Sequence, residues 1–259
     1  MLIKLLDFIG NSTLRTFNDI GFSSLFVFET IKTLFTTKLK ASKLLFQMEQ
    51  IGVNSLFICS ITGAFAGAVL VIQTFKGFKQ FGGQQFIGPV VAISMIRELG
   101  PVLTGFMVTG RSSSSIAAEI GTLRITEQID ALRTLRINIF QYLIVPRVVG
   151  GTLILPFLAI FCMIGGIIGG YIIAVFRLGL TPEQFTTGIK EFVELFDIQG
   201  GLIKSAVFGF ILTVVGCYMG YFASGGAKGV GIATKKSVVV SFMLIIIANY
   251  FLAAILFGP

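Results

Sequence analysis

The run VNSLFICSITGAFAGAVLVIQTF, Val53 to Phe75, decides the fold class. Its 23 residues carry no charge. About 20 apolar residues in a helix cross the ~30 Å hydrocarbon core of a bilayer. Four more runs of this kind follow, which places spans at about 50–75, 86–110, 146–176, 203–224 and 238–258. Bulk composition agrees. Of 259 residues, 54% are hydrophobic and 12% are charged, against about 25% charged in a soluble domain. The sequence predicts an all-α integral membrane protein with five transmembrane helices. One integral domain covers 50–259, and a helical region over 1–49 precedes it.

The net charge of +8 would suggest nucleic acid in a soluble protein. Its distribution gives a membrane reading instead. With the N-terminus inside, segments 1–49, 111–147 and 224–237 hold 6, 5 and 3 Lys/Arg. The outside segments hold five, Lys76, Lys79, Arg177, Lys190 and Lys204, and Arg97 completes the 20. That bias places the N-terminus in the cytoplasm and the C-terminus outside. The start MLIKLLDFIGNS lacks the apolar core of a signal sequence and the Arg/Ser character of a transit peptide. A bacterial inner membrane is the expected location.

Residues 12–36 place Leu14, Phe17, Gly21, Phe28, Ile31 and Phe35 near a 3.6-residue repeat, with charges between them. This predicts an interfacial amphipathic helix rather than a span. Lys38, Lys40 and Lys43 then suit anionic lipid. Gly63 and Gly67, and the later run Gly165, Gly166, Gly169 and Gly170, have the spacing of close helix packing. Pro146 and Pro156 predict a kink or an early break in the third span. Thr181-Pro182-Glu183 is a helix start. Phe185, Ile189, Phe192 and Phe196 then mark one face of short amphipathic helices on the outer surface.

Residues 111–136 form a polar, helix-forming stretch on the cytoplasmic side, with Ile125, Ile129 and Leu132 as an apolar edge. It reads either as a solvated connector or as a docking element. Within the second span, Arg97 and Glu98 stand side by side, and Gly100-Pro101 follows. Neighbouring residues on a helix point about 100° apart, so the two do not pair with each other. One faces a neighbouring helix and the other a cavity, or they serve in a buried ion pair or cap that holds the helix together at the Gly-Pro step. Leu70, Ile72, Phe75 and Phe78 lie near the outer end of the first span, where plain lipid-facing residues are expected.

Several chemistries find no residues. No phosphate loop of the GxxxxGK[ST] type occurs. GGAKGVGIAT at 225–234 lacks the Lys-Ser/Thr pair and a preceding strand. There is no histidine to act as a base, so no catalytic residue is expected. Neither a metal site nor a disulfide is expected from Cys59, Cys162 and Cys217, which lie in apolar helices. Any energy source belongs to a separate subunit.

RELGPVLTGFMVTGRSSSSIAAEIGTLRITEQIDAL, from Arg97 to Leu132, closely resembles the MlaE/YrbE family of permeases, integral subunits of ABC transporters that move lipids. The shared patterns are R-E-L-G-P, G-R-x-x-[SG]-x-x-x-A-E-[IL]-G and T-E-Q-[IL]-x-A-[LM]. GGAKGVGIATKKSVV and LIKSAVFGF match later family segments, with Lys235-Lys236 where the family often has Thr or Arg. The resemblance covers the chain from about residue 40 onward. It implies a homodimer of permeases with a cytoplasmic coupling helix between spans 2 and 3. That segment takes in Glu119, Gly121, Thr126, Glu127, Gln128, Asp130 and Leu132. It also implies a cytoplasmic ATPase dimer that holds the ATP and Mg, a STAS-domain helper, and a hexameric MCE-domain protein outside. This chain then needs no cofactor. The cargo would be phospholipid or a similar lipid, its headgroup at Arg97 or Glu98 and its acyl chains along Leu70, Ile72, Phe75 and Phe78, and the role outer-membrane lipid asymmetry. A scaffold for an MCE complex and an ion-coupled carrier are the alternatives.

Overall fold

The computed structural model describes residues 21–36, 40–80 and 82–258. Among them every regular element is helical. Helix α1 covers 21–36 and α2 covers Ala41–Lys79. Next come α3 (Gln84–Ile125), α4 (Gln128–Thr134) and α5 (Phe140–Phe176). Then α6 (Pro182–Phe192), α7 (Leu195–Tyr221) and α8 (Gly226–Phe257) complete the chain. Among the described residues α2, α3, α5, α7 and α8 are the five helices long and apolar enough to cross a membrane. The chain is a multi-pass membrane protein.

The helices overrun the spans read from hydropathy. At ~1.5 Å per residue, the 39 residues of α2 reach ~58 Å, about twice the hydrocarbon thickness. The polar stretch after Gly110 is, in its first half, simply the continuation of α3. The chain passes Thr109–Ser113 as a π turn and stays helical to Ile125. Ser114 Oγ donates to the Gly110 carbonyl at 2.7 Å, so this hydroxyl is satisfied within the helix. The break expected at Pro146 or Pro156 does not occur. Pro146 falls just after a π turn at Phe140–Ile144, and α5 runs on through Pro156. Packed neighbours tolerate such prolines in membrane helices.

Close packing follows the glycines. A Cβ on Gly63 would collide with the Cys162 carbonyl, and one on Gly67 with that of Gly166. A Cβ on Gly169 would strike the Ala64 carbonyl. Residue numbers rise together along this seam, so α2 and α5 run parallel. α3 and α7 also rise together, since Gly201 meets Ile96 and Gly220 meets Ala117. The pair α5 and α7 runs antiparallel, because Gly151 faces both Gly209 and Thr213 while Met163 reaches Gly201. Consequently α4 and the start of α8 share one end of the bundle, and α6 and the end of α8 share the other. Large apolar side chains such as Phe57, Phe65, Phe161 and Phe251 point outward, while Ser55, Ser113, Ser205, Ser237 and Lys204 are buried. In lipid, apolar surface gives helices no drive to associate, so tight backbone contact and interior hydrogen bonds hold them.

In α1, Phe26, Thr30 and Thr33 are buried, and Phe28, Ile31 and Phe35 are exposed. Phe26 enters an aromatic group with Phe140, Tyr218 and Tyr221. Residues 12–20 of the expected amphipathic helix, and Lys38, lie outside the described residues. At the other end, Thr181 and Gln184 form a reciprocal capping box that starts α6. Phe185 is buried against Tyr171, with ring centroids 5.7 Å apart. Phe196, read as part of the same face, belongs to α7 instead.

The α2–α5 seam yields a direct test. Gly67→Leu drives a side chain into backbone and lowers the thermal midpoint in detergent, by an amount equivalent to about 1–3 kcal/mol or more. Gly77→Leu, in open space on the same helix, leaves the midpoint unchanged within error.

Candidate functional site

Arg97 and Glu98 lie within an unusual backbone turn. Met95–Leu99 is a π turn, and the Gly100 N–H reaches back to the Met95 carbonyl. Pro101 has no N–H to donate to the carbonyl of Arg97, four residues earlier. Lys204 from α7 supplies one, since its Nζ donates to the Arg97 carbonyl at 3.2 Å. The same ammonium donates to Glu98 Oε1 at 2.6 Å. The other Glu98 oxygen accepts from Asn249 Nδ2 of α8 at 3.0 Å. Thus the Gly-Pro step does not break the helix. It opens a carbonyl that a second helix closes.

Arg97 turns to a different partner, as its position beside Glu98 requires. Its Nε donates to Asp197 Oδ1 at 2.7 Å, and Nη2 lies 2.7 Å from the same oxygen in an ion pair. Asp197 Oδ2 in turn accepts from the Glu194 N–H at 3.0 Å, which caps the start of α7. The ring of Phe257 lies 4.9 Å from the Arg97 guanidinium carbon and 5.0 Å from Lys204 Nζ, within cation–π range. Two acids and two bases make the cluster neutral. Asp197 and Lys204 side chains are fully buried, but Arg97 is 35% exposed and Glu98 39%. Half of the cluster is locked away and half remains accessible. Lys204 lies nine residues into α7, or ~14 Å from the α6 end. Ionisable side chains at that depth are costly and mark function by default.

Arg97 and Glu98 are therefore not the only charges deep in the spans. Sequence alone puts Lys204 in an outer segment and Asp197 in the surface helices before it, because the charge-free run of the fourth span starts only at Ser205. In the structure α7 begins at Leu195, and Gly200 and Gly201 admit neighbours there. A Cβ on Gly201 would hit the Ile96 carbonyl, and one on Gly200 the ring of Phe257. A signal is present: Asp197, Gly201, Lys204 and Ser205 fall at i, i+4, i+7 and i+8, one helical face. Asn249 carries no comparable signal. The Asn249 Oδ1 is buried and has no hydrogen-bond partner among the described residues.

Leu70, Phe75 and Phe78 are partly buried and pack on a buried group that includes Val71, Ile87, Val91 and Met95. Ile72 is half-buried outside that group. The packed residues brace α3 just before the charged turn.

At the opposite end of α3, the expected docking residues divide. Glu119 pairs with Arg147 at 2.6 Å, and Gly121 lies close to Val230 and Ala223. Asp130 pairs with Arg124 at 2.8 Å. Leu132 is half-buried and Ile129 fully so. Thr126, Glu127 and Gln128 form the exposed tip. Glu127 has φ 59°, the left-handed conformation that reverses the chain from α3 into the seven-residue α4. Beneath this end, Ser113 Oγ lies 2.9 Å from the Leu212 carbonyl and 2.6 Å from Ser237 Oγ. That bond pair ties α3 to α7 and α8. Among the described residues no group of three or more His, Cys, Asp or Glu forms a metal cradle.

Removing Glu98 leaves the Lys204 ammonium buried with a single carbonyl. Breaking a buried pair costs about 3–5 kcal/mol. Glu98→Met should lower the thermal midpoint sharply, and Glu98→Met with Lys204→Met should recover part of the loss, the remainder being the Arg97 carbonyl that then lacks its Lys204 donor. A double variant no better than the single one would contradict the pairing.

Known proteins give the cluster its context. The family description Permease MlaE matches residues 44–255. A "Probable ABC transporter permease protein" of Rickettsia felis is 40% identical over 257 residues, 99% of each chain. A probable ABC transporter permease from Synechocystis is 42% identical over 211 residues, 82% of this chain and 80% of the relative. The "Intermembrane phospholipid transport system permease protein MlaE" of Haemophilus influenzae is 29% identical over 259 residues, 100% of this chain and 99% of the relative. The five-helix bundle, the matched profile and relatives covering its whole length agree: the chain belongs to the MlaE family of ABC transporter permeases.

Proposed function

We propose that this chain is the permease half of an ABC transporter that moves phospholipid, with the accessible edges of Arg97 and Glu98 contacting the headgroup. One observation carries the reading. α3 is a single helix of 42 residues that holds the charged turn in its first half and the exposed tip 126–128 just past its end. A rigid element with a ligand-sized charge site in one half and a docking knob beyond the other suits transmission of a rigid-body shift. A guanidinium suits a phosphate oxygen pair, and the name of the Haemophilus influenzae relative includes phospholipid transport.

The partners follow from the same reading. An ATPase dimer docks at Thr126, Glu127 and Gln128, with Asp130 and Leu132 shaping α4 behind them, and it supplies the ATP and Mg. A STAS-domain helper can sit on that side. A second copy of this chain covers the open face of α8, where Met243, Ile247 and Tyr250 are exposed. An MCE-domain hexamer accepts lipid on the α6 side, in support of outer-membrane lipid asymmetry. Sidedness rests on charge. With buried Lys204 and Arg147 both set aside, four Lys/Arg remain outside against 13 inside. The α4 end is then cytoplasmic, and the membrane is the bacterial inner membrane.

A scaffold or an ion-coupled carrier would work without an ATPase, so the test reads both partner and activity. Purify the tagged chain from its host membrane in mild detergent. The chain should carry an ABC ATPase, and Glu127→Lys should remove it or abolish ATP hydrolysis. Asp130 is the poorer choice because its pair with Arg124 confounds folding. Absence of an ATPase, or full activity in Glu127→Lys, would refute the docking assignment.

A further inference from the structure

A second feature lies away from the charged cluster, on the α4 end. A groove of about 1120 Å³ opens between α1, α7 and α8. That exceeds the ~300–1,000 Å³ of ordinary small-molecule pockets. Its walls are mostly apolar: Phe28 and Ile31 of α1, Val214 of α7, and Val240 and Leu244 of α8. Lys236 is the charged residue among those that line it, and it is exposed. No acidic side chain comes within ion-pair distance of Lys236 among the described residues, and α8 contains no Asp or Glu. Glu29 of α1, the acid nearest in sequence to the groove wall, pairs with Lys32 at 3.9 Å.

Geometry fixes the orientation of an occupant. Lys236 to Leu244 spans eight residues of α8, or ~12 Å, running from the α4 end toward the middle of the bundle. The cation therefore sits at the end of the spans, and the apolar walls extend inward from it. A lipid of the adjoining leaflet has that polarity, with its phosphate at the surface and its chain along the helices. Lys228 and Lys235, exposed on the same first turns of α8, add to the positive potential there.

We propose that this groove is a resident site for one anionic phospholipid, its acyl chain between α1 and α8 and its phosphate on Lys236. The site lies at the opposite end of the spans from Arg97 and Glu98, and it does not depend on the transport reading. By bridging α1 to α8 the lipid pins the amphipathic helix beside the bundle.

The test uses the full chain in nanodiscs of equal phosphatidylglycerol and phosphatidylcholine. One of the two carries a diazirine on its acyl chain. After irradiation, peptides from α7 and α8 are analysed by mass spectrometry. Phosphatidylglycerol should label the Val214 and Val240 walls about fivefold more than phosphatidylcholine. Lys236→Glu, an exposed surface change, should bring the ratio to one. Lys236→Arg should keep it. Equal labelling by both lipids in the unaltered chain means an ordinary annular groove and overturns the proposal. So does a preference that survives Lys236→Glu, or label confined to other faces of α8.

Discussion

The Lys204 ammonium, held between the Arg97 carbonyl and the Glu98 carboxylate, is the contact on which the rest depends. Proline at position 101 removes a backbone donor inside a membrane helix, and an unpaired carbonyl there costs several kcal/mol. A lysine from α7 satisfies it. That lysine must then be neutralised, which Glu98 does, and Asn249 completes the carboxylate. Each correction recruits another helix. By the time the polar groups are satisfied, α3, α7 and α8 are fixed in one register, and Arg97 is left to hold the start of α7 through Asp197. The fold's interior is polar by necessity, because apolar surface alone does not hold helices together in lipid.

The same arrangement explains how one helix serves two ends. α3 has π turns at Met95–Leu99 and Thr109–Ser113. Each lies where side chains from other helices lock it, the charged cluster at the first and the Ser113–Ser237 pair at the second. Between and beyond these points the helix is regular and reaches the left-handed turn at Glu127. Under the proposed function, a displacement of the tip would reach the charged turn through continuous helix. Glu119, paired with Arg147, ties the lower part of α3 to α5 and so to the α2–α5 seam.

Much of this is legible in the residues. The charge-free run Val53–Phe75 shows the membrane class, and the GxxxG spacing of Gly63 and Gly67 marks the seam that α5 fills. The 100° rule assigns separate partners to Arg97 and Glu98. The partners themselves are hidden, since hydropathy starts the fourth span only after Gly201, when Gly200 and Gly201 are close-approach points inside α7. Boundaries fail for a related reason. The polar run Ser112 to Ser115 looks like solvent exposure, yet a serine such as Ser114, bonded back to its own helix, does not end it. Contacts such as Asn249 to Glu98 join residues 151 apart, and no local pattern announces them.

The central claim is that Arg97 meets the phosphate of the cargo while helping to hold α7. Lysine at 97 keeps the charge and a contact with Asp197 but loses the planar fork. The decisive measurement is ATP-dependent transfer of fluorescent phospholipid from vesicles holding the complete transporter, for Arg97→Lys against the unaltered chain. Thermal stability and ATPase association are checked in parallel. The account predicts near-normal stability and association with transfer reduced about tenfold or more. Transfer at the unaltered rate in a stable, ATPase-bound Arg97→Lys chain would contradict it, and would leave the cluster a purely structural lock.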